Sequence, residues 1–248
     1  MSGKKYLFAN WKMYLDFVQS QDLASALAER VSEFDDHVAM TVFPSALAVA
    51  SAADIFDGTS VAVGAQNVHW VEKGGSTGEI SAPMFKAVGC QYALVGHSER
   101  RHLFHETNHE VRQKIEAILA AGMTPVLCVG ETESEKRQDK TAEVIEVQLR
   151  SALQDISWPE GHELIIAYEP VWAIGTGEAC DPIDVERVHE LIKKEAEALV
   201  NITPIMLYGG SVRPENVAEY LKNPNINGVL VGGASTQLES WWKIVKAV

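Results

Sequence analysis

Hydrophobic residues recur along the chain as eight short runs. They begin near Tyr6, Val38, Val61, Tyr92, Thr124, Leu164, Ile205 and Gly228. In runs such as 125–129 (PVLCV) and 164–168 (LIIAY) nearly every position is apolar, without the alternation typical of a strand exposed on one face. Strands of a parallel sheet that helices cover on both sides have this continuous pattern. The runs therefore predict eight parallel strands.

Apolar residues spaced three or four positions apart occupy several intervals between these runs. This spacing places them on one face of a helix. The predicted faces are Leu23, Leu27, Val31 and Phe34; Val111, Ile115, Ile118 and Leu119; Ile145, Leu149, Leu153 and Ile156; and Val185, Val188, Ile192 and Leu199. Helices with one apolar face are what a parallel sheet needs as a cover.

Polar residues and prolines predict where several helices begin and end. Helix starts are expected at Ser20, Thr107, Asp181 and Arg213, and a helix end at Gly122. Thr107 is followed three positions later by a glutamate, which is a capping box. Asp181 and Arg213 each precede a proline, a residue favoured at the first helical position. Glycine is common just past a helix end.

Strand and helix alternate about eight times over 248 residues. Such alternation predicts a parallel α/β fold. A count of eight at this length favours a closed (β/α)8 barrel over a doubly wound open sheet. No low-complexity linker interrupts the chain, so a single domain over residues 1–248 is expected. In barrels of this kind the chemistry lies where the strands end and the βα loops begin.

The overall charge excludes some partners and restricts others. Acidic residues number 34 and basic residues 21, which gives a net charge of −13. Such a surface repels nucleic acid and anionic lipid, so neither is an expected partner. No apolar run approaches the ~18 residues of a transmembrane helix. An anionic substrate would need a local positive patch that opposes the global field.

The cysteines and the N-terminus indicate the compartment. Cys90, Cys128 and Cys180 are widely spaced and odd in number, as expected of reduced thiols in a cytoplasmic protein. The apolar stretch that precedes Asn10 and Lys12 is too short for a signal peptide.

Three ionisable residues directly follow predicted strands. Lys12 follows the first strand, His97 the fourth and Glu169 the sixth. A lone lysine is usually a surface residue and a lone histidine is usually structural. Glu169 carries more information, because a carboxylate after a wholly apolar strand is costly to bury unless it is paired or functional. It is therefore a candidate functional group from its setting alone.

Glycine-rich turns follow the last three predicted strands. They comprise residues 173–177 (AIGTG), 209–211 (GGS) and 232–235 (GGAS). Barrels build phosphate sites on these loops from backbone N–H groups. None of the turns fits the dinucleotide pattern GxGxxG or the P-loop. The expected ligand is a small phosphate ester, and no cofactor is predicted.

Residues 105–109 (HETNH) match the zinc-protease pattern HExxH. That site needs both histidines on one continuous helix. A helix that starts at Thr107 would separate them, so no metal site is predicted.

Seven segments together resemble the triosephosphate isomerase family, in the order that the family has them. They are 9–13 (ANWKM), 64–67 (GAQN), 76–81 (STGEIS), 96–101 (GHSERR), 168–177 (YEPVWAIGTG), 208–212 (YGGSV) and 230–235 (LVGGAS). The resemblance implies a closed (β/α)8 TIM barrel. It also implies a cofactor-free isomerase of glycolysis and gluconeogenesis that interconverts dihydroxyacetone phosphate and D-glyceraldehyde 3-phosphate.

The resemblance assigns a role to each candidate residue. Glu169 would be the base, His97 the electrophile that moves protons between the oxygens, and Lys12 the cation that offsets substrate charge. The substrate-binding residues would be Asn10, Lys12, Gly175, Ser211, Gly232 and Gly233. N–H groups of a helix starting after His97 would favour a neutral imidazole that can donate to an oxygen.

Two further family features are carried over by resemblance. Residues 170–177 resemble a mobile lid, with Pro170 at one end and glycines at the other. Residues 69–81, including Thr77, resemble a loop that enters a second subunit near its Lys12 and His97, so a homodimer is expected.

Three positions depart from the family pattern. Lys193 and Asn227 stand where many members have an arginine and an aspartate, so that ion pair is absent. Glu178 stands where a lysine is common, next to the lid. None of these positions has a chemical role.

Two alternatives stay open, one of them a different enzyme and the other not an enzyme. The enzyme is another phosphosugar isomerase or an aldolase on a phosphate-binding barrel; an aldolase of the Schiff-base type needs a lysine inside the barrel on a later strand, and Lys12 is on the first. A barrel retained only for binding would be expected to lose Lys12, His97 or Glu169.

Overall fold

The structure, a computed structural model, describes residues 4–33, 37–174 and 179–248. Eight strands lie in this part of the chain: β1 (Lys5–Asn10), β2 (Val38–Phe43), β3 (Val61–Ala65), β4 (Tyr92–Val95), β5 (Thr124–Val129), β6 (Ile165–Tyr168), β7 (Ile205–Tyr208) and β8 (Gly228–Val231). Each begins within one residue of its predicted position, because the apolar runs end sharply at polar or glycine residues.

The strands form a closed parallel barrel. Each strand pairs with the next along the chain, and β8 pairs with β1. This confirms the predicted (β/α)8 barrel. All eight strands run in one direction, so their C-terminal ends meet at one mouth, where the βα loops converge.

Helices surround the barrel. In the described residues the α-helices are α1 (Phe17–Arg30), α2 (Val49–Phe56), α3 (Ala82–Ala87), α4 (Ser98–Leu103), α5 (Asn108–Ala120), α6 (Glu133–Arg137), α7 (Thr141–Leu153), α8 (Pro182–Val200), α9 (Val217–Leu221) and α10 (Leu238–Val245). Short 3-10 helices span Val31–Glu33, Val171–Ala173 and Gly233–Thr236. Among the described helices, none combines the length and hydropathy needed to cross a bilayer.

The core has two layers, because successive side chains of each strand point to opposite faces. On β1, Tyr6 and Phe8 belong to the cluster inside the barrel, whereas Leu7 and Ala9 belong to the layer between strands and helices. The rings of Phe8 and Phe43 lie 5.5 Å apart inside the barrel. This packed interior gives the mouth a rigid floor.

Two of the predicted helix starts are confirmed. The Thr107 side chain accepts from the N–H of Glu110, and the Glu110 side chain accepts from the N–H of Thr107. The Asp181 side chain accepts from the N–H of Ile183 at 2.8 Å, ahead of α8. The predicted helix end is also confirmed, because Gly122 follows α5 with a positive φ of 67°.

Two other predicted starts are wrong. α1 is capped by Asp16, which forms a capping box with Gln19, and Ser20 is buried inside the helix. The carboxylate of Asp16 reaches the N–H of Gln19 at 2.8 Å and therefore starts the helix four residues earlier. After Arg213 the chain makes a turn, and α9 begins only at Val217.

Two of the predicted apolar faces extend beyond the ends of the helices that carry them. Ile156 lies beyond the end of α7 at Leu153, and Val31 lies in a 3-10 turn after α1. Phe34 lies outside the described residues.

Candidate active site

A pocket of about 570 Å³ opens at the C-terminal mouth of the barrel. It brings together seven of the eight residues that the sequence predicts for the site: Asn10, Lys12, His97, Glu169, Ser211, Gly232 and Gly233. The eighth, Gly175, lies outside the described residues. Residues from five different strand ends thus share one concave surface.

His97 is held by the first turn of α4. It is the N-cap of that helix, and its Nδ1 accepts from the backbone N–H of Glu99 at 3.3 Å. A ring nitrogen that accepts carries no hydrogen, so Nε2 is the protonated nitrogen of a neutral ring. Nε2 lies 3.1 Å from Oε1 of Glu169. The predicted helix start after His97 therefore sets both the orientation and the tautomer of the ring.

Glu169 is buried directly after β6. Its backbone N–H donates to the Val129 carbonyl at 2.8 Å, which continues the pairing of β6 with β5. Its Oε2 accepts from the N–H of Ser98 at 2.8 Å. Hydrogen bonds to the carboxylate offset the cost of removing it from water. A Cβ at Gly209 would lie 2.8 Å from Cγ of Glu169, so only glycine fits there without displacing the side chain.

Lys12 sits in a strained backbone conformation. Its φ is 49°, in the left-handed region that is rare for a residue with a Cβ. The Asn10 side chain accepts from the Lys12 N–H at 3.0 Å, and the Gln66 side-chain amide donates to the Lys12 carbonyl at 2.8 Å. Both backbone groups of the lysine are therefore held by neighbouring side chains.

The Lys12 side chain reaches across the pocket to Glu99. Its Nζ lies 2.7 Å from Oε1 of that carboxylate. Glu99 therefore links the lysine to the helix that holds His97. The sequence predicts no role for Gln66 or Glu99, because only the folded chain brings them to Lys12.

The glycine turns form the opposite wall. Gly232 packs against Lys12, since a Cβ on the glycine would lie 3.1 Å from Cε of the lysine. The 3-10 helix Gly233–Thr236 starts at this wall. Arg213 and Lys243 also line the pocket and add positive charge to it. The sequence predicts neither residue for the site. Arg213 is expected only as a helix start, and Lys243 lies far from any predicted strand end.

The two flanks of the predicted lid are anchored to the barrel. At its start, Glu131 accepts from the hydroxyl of Tyr168, which precedes the lid, at 3.1 Å and from Nε1 of Trp172, within its first residues, at 2.9 Å. Burial raises the pKa of Glu131, an effect that these hydrogen bonds oppose. After it, the Cys180 N–H donates to the Tyr208 hydroxyl at 3.1 Å. Gly175 and Gly177, between these flanks, lie outside the described residues.

The HExxH pattern does not form a metal site of the zinc-protease type. α4 ends at Leu103 and α5 begins at Asn108, so His105 and His109 do not share a helix. His105 itself has a left-handed φ of 57°. Within 4–33, 37–174 and 179–248, no three His, Cys, Asp or Glu side chains are grouped so that they could hold a metal ion.

Asn227, one of the departures from the family pattern, makes local contacts in place of an ion pair. Its side chain accepts from the Met206 N–H at 2.8 Å, and its own N–H donates to the Met206 carbonyl at 2.8 Å. These bonds join the start of β8 to β7. Nearby, Nδ1 of His189 lies 3.2 Å from the carbonyl of Asn225 and joins α8 to the same loop. Glu178 lies outside the described residues.

Comparisons with known proteins agree with this geometry. The family model for triosephosphate isomerase matches residues 5–248. A triosephosphate isomerase from Picosynechococcus sp. is 43% identical over 250 residues, 99% of each chain. One from Herpetosiphon aurantiacus is 41% identical over 244 residues, 97% of each chain. The crystal structure of triosephosphate isomerase from Bartonella henselae is 34% identical, covers 98% of each chain and has a TM-score of 0.85. The chain therefore belongs to the triosephosphate isomerase family.

Proposed function

We propose that the pocket at the barrel mouth interconverts dihydroxyacetone phosphate and D-glyceraldehyde 3-phosphate with Lys12, His97 and Glu169 as its catalytic residues. The observation that carries this assignment is the 3.1 Å approach of His97 Nε2 to Glu169 Oε1 beside Lys12. A base and a hydrogen-bond donor that touch one another can also flank a single small substrate. No cofactor is needed, because the reaction only moves protons.

In the forward direction the Glu169 carboxylate removes a proton from C1 of dihydroxyacetone phosphate. The bonding electrons form a C1–C2 double bond and leave negative charge on the oxygen at C2. Nε2–H of His97 transfers its proton to that oxygen, and the ring then takes a proton from the hydroxyl at C1, which restores Nε2–H and moves the negative charge to the C1 oxygen. Glu169 returns its proton to C2, which gives the aldehyde. Donors fixed in place before the reaction stabilise the enediolate as its charge grows.

Substrate binding must separate the two reacting side chains. Nε2 of His97 and Oε1 of Glu169 lie 3.1 Å apart, which leaves no room for a substrate atom between them. A substrate carbonyl that accepts the hydrogen of Nε2 must therefore take the place of Oε1. The freed carboxylate oxygen can then accept the carbon-bound proton, so one binding event supplies both groups.

The phosphate is proposed to lie against Ser211, Gly232 and Gly233, with Gly175 joining them by resemblance to the family. Backbone N–H groups at the start of a short helix bind phosphate well. Lys12 packs on Gly232 and adds the positive charge that the acidic surface lacks. Asn10 lines the same pocket and would orient the substrate oxygens.

A homodimer is proposed from an exposed apolar surface beside the site. A second pocket, of about 460 Å³, shares Lys12 and His97 with the first and is lined by Met13, Leu103 and Phe104. These three side chains are 95%, 68% and 66% exposed. Clustered exposure of large apolar groups marks an interface. Loop 69–81 of a second copy is the proposed occupant.

The remaining assignments rest on the sequence. A single domain over residues 1–248 and a cytoplasmic location fit the unbroken strand–helix alternation and the three free, buried cysteines. Neither assignment affects the chemistry of the pocket.

A coupled spectrophotometric assay of triose phosphate interconversion, run with a metal chelator, tests the proposal. Full activity is expected with the chelator present, and His97→Gln should lower kcat by about 100-fold or more. A purified chain without this activity, or an active His97→Gln variant, would refute it. Borohydride trapping in the presence of dihydroxyacetone phosphate separates the aldolase alternative, which alone would give a covalent lysine adduct.

A further inference from the structure

Gly96 lies between the end of β4 and the proposed catalytic histidine, and charged side chains hold the peptide groups on either side of it. Its N–H donates to Oε1 of Glu106 at 3.0 Å. Its carbonyl accepts from Nε of Arg101 at 2.7 Å. The residue has a φ of +69°, which glycine adopts without strain. Glu106 thus holds the peptide group that precedes Gly96, and Arg101 holds the peptide group that leads into His97.

Arg101 uses its other nitrogens to tie this point to the next strand. Nη2 donates to the Cys128 carbonyl at 3.3 Å, and Nη1 donates to the Asn108 side chain at 2.6 Å. The last paired residues of β4 and β5 are Val95 and Leu127. Gly96 and Cys128 are the next residues on these two strands, so the guanidinium bridges them one step beyond the ladder. The planar fork of an arginine suits several such bonds at once, and a lysine ammonium does not.

Glu106 and Arg101 differ in whether opposite charges contact them. Glu106 contacts two cations, Arg100 at 2.5 Å and Lys114 at 2.6 Å. The three acceptors of Arg101 are all neutral oxygens. Burial lowers the pKa of Arg101, and nearby negative charges, Glu106 and Glu169 among them, oppose that shift.

We propose that Arg101 is a positioning residue for the isomerisation. By holding the Gly96 carbonyl it fixes the start of α4, where the Glu99 N–H orients His97 and the Ser98 N–H meets Glu169. This inference rests on the proposed roles of His97 and Glu169. The phosphate wall lies on other strands, so Arg101 should affect the reacting groups and leave the grip on phosphate unchanged.

The competing interpretation is that Arg101 only stabilises the fold. In that case a substitution would reduce the amount of folded enzyme, while each folded molecule kept its kcat and its histidine tautomer. The positioning role instead predicts a change in every folded molecule, so measurements normalised to folded protein separate the two.

The test compares Arg101→Lys with Arg112→Lys. Arg112 is a matched control on α5 that bonds Glu116 and the Gln154 carbonyl, away from the pocket. For Arg101→Lys we expect kcat to fall 10- to 100-fold, on the order of the loss from a displacement of about 1 Å. KM and inhibition by inorganic phosphate should change less than about threefold. The control should retain kcat.

A spectroscopic readout reports the histidine directly. With 15N-labelled imidazole, the unliganded parent enzyme should show His97 with hydrogen on Nε2 only. Arg101→Lys should show a mixture of tautomers, or exchange between them, because the Glu99 N–H no longer points steadily at Nδ1. An unchanged histidine signal together with an unchanged kcat would overturn the proposal.

A milder variant covers the case in which Arg101→Lys does not fold. Asn108→Ala removes only the bond to Nη1 and leaves the Thr107 cap of α5 in place. We expect a two- to fivefold lower kcat with KM retained, and no effect on kcat would count against the inference. Glu169→Asp serves as the reference. If this variant stays active, the proposed function fails. If it is inactive while the Arg101 and Asn108 variants are fully active, only the positioning role of Arg101 is rejected.

Discussion

The backbone N–H of Ser98 donates to Oε2 of Glu169 at 2.8 Å. Ser98 is the first residue of the helix that His97 caps, so one turn of α4 holds both the proposed acid and the proposed base. The two groups come from strands β4 and β6, which are not neighbours in the barrel. The short helix therefore sets the relative position of groups that are 72 residues apart in sequence.

Shortening the proposed base should cost rate and leave affinity nearly intact. Glu169→Asp keeps the charge but withdraws the carboxylate by about 1 Å, which typically costs on the order of 100-fold. The expected result is a kcat about 100-fold lower with KM changed far less, measured by steady-state kinetics. Glu133→Asp on the exposed surface of α6 is the control. An aspartate variant with normal kcat would mean that the base is elsewhere.

Gly209 offers a way to move the base without changing it. A Cβ at this position would lie 2.8 Å from Cγ of Glu169, so Gly209→Ala must push the carboxylate aside. We expect kcat to fall on the order of 10- to 100-fold. At Gly161 an added Cβ meets nothing within 4 Å, although its φ of +80° makes alanine strained. Gly161→Ala should therefore lower the melting temperature without lowering kcat, and equal kcat losses in both variants would contradict this account.

Local physics explains which features the sequence could predict. The sequence predicts the first residue of every strand to within one position, because the apolar runs are bounded by polar or glycine residues. The Thr107 cap is predictable because its partner lies only three residues away, whereas the expected cap at Ser20 is wrong because Asp16 forms a capping box four residues earlier. Gln66 and Glu99 are not predictable from the sequence, because their partner Lys12 lies on a distant segment that only folding brings near. Arg101 contacts Gly96 and Asn108, which are close in sequence, but only the folded backbone shows that its side chain reaches them.

Glu131 should make stability depend on pH in a defined direction. Burial raises its pKa above the ordinary value of 4.5, so the folded state favours the neutral acid. Its contribution to stability is therefore fully present below pH 4.5 and is lost as the pH rises through the raised pKa. Glutamine imitates the neutral acid at every pH. The free energy of unfolding of the parent, minus that of Glu131→Gln, should thus fall with rising pH in this window and then level off.

Urea unfolding of both proteins at a series of pH values measures this difference. Glu133→Gln, on an exposed position of α6, is the control for the loss of a carboxylate away from this buried site. A difference that grows with rising pH would mean that the hydrogen bonds from Tyr168 and Trp172 outweigh burial, and would reverse the assigned direction.

The exposed apolar surface beside the site is the proposed contact with a second copy. Phe104 is 66% exposed and lines the pocket that includes Lys12 and His97. If a second copy covers it, Phe104→Asp places a charge in a desolvated contact and should weaken the dimer by about 2 kcal/mol or more. Analytical ultracentrifugation should show the parent as a dimer and the variant shifted toward monomer. Ile183→Asp changes an equally apolar side chain that is 75% exposed at the start of α8, and it should leave the dimer intact. A parent that sediments as a monomer would leave Phe104 exposed and remove the physical basis for the interface. If both variants dissociate, the contact between the copies must extend beyond the surface around Phe104.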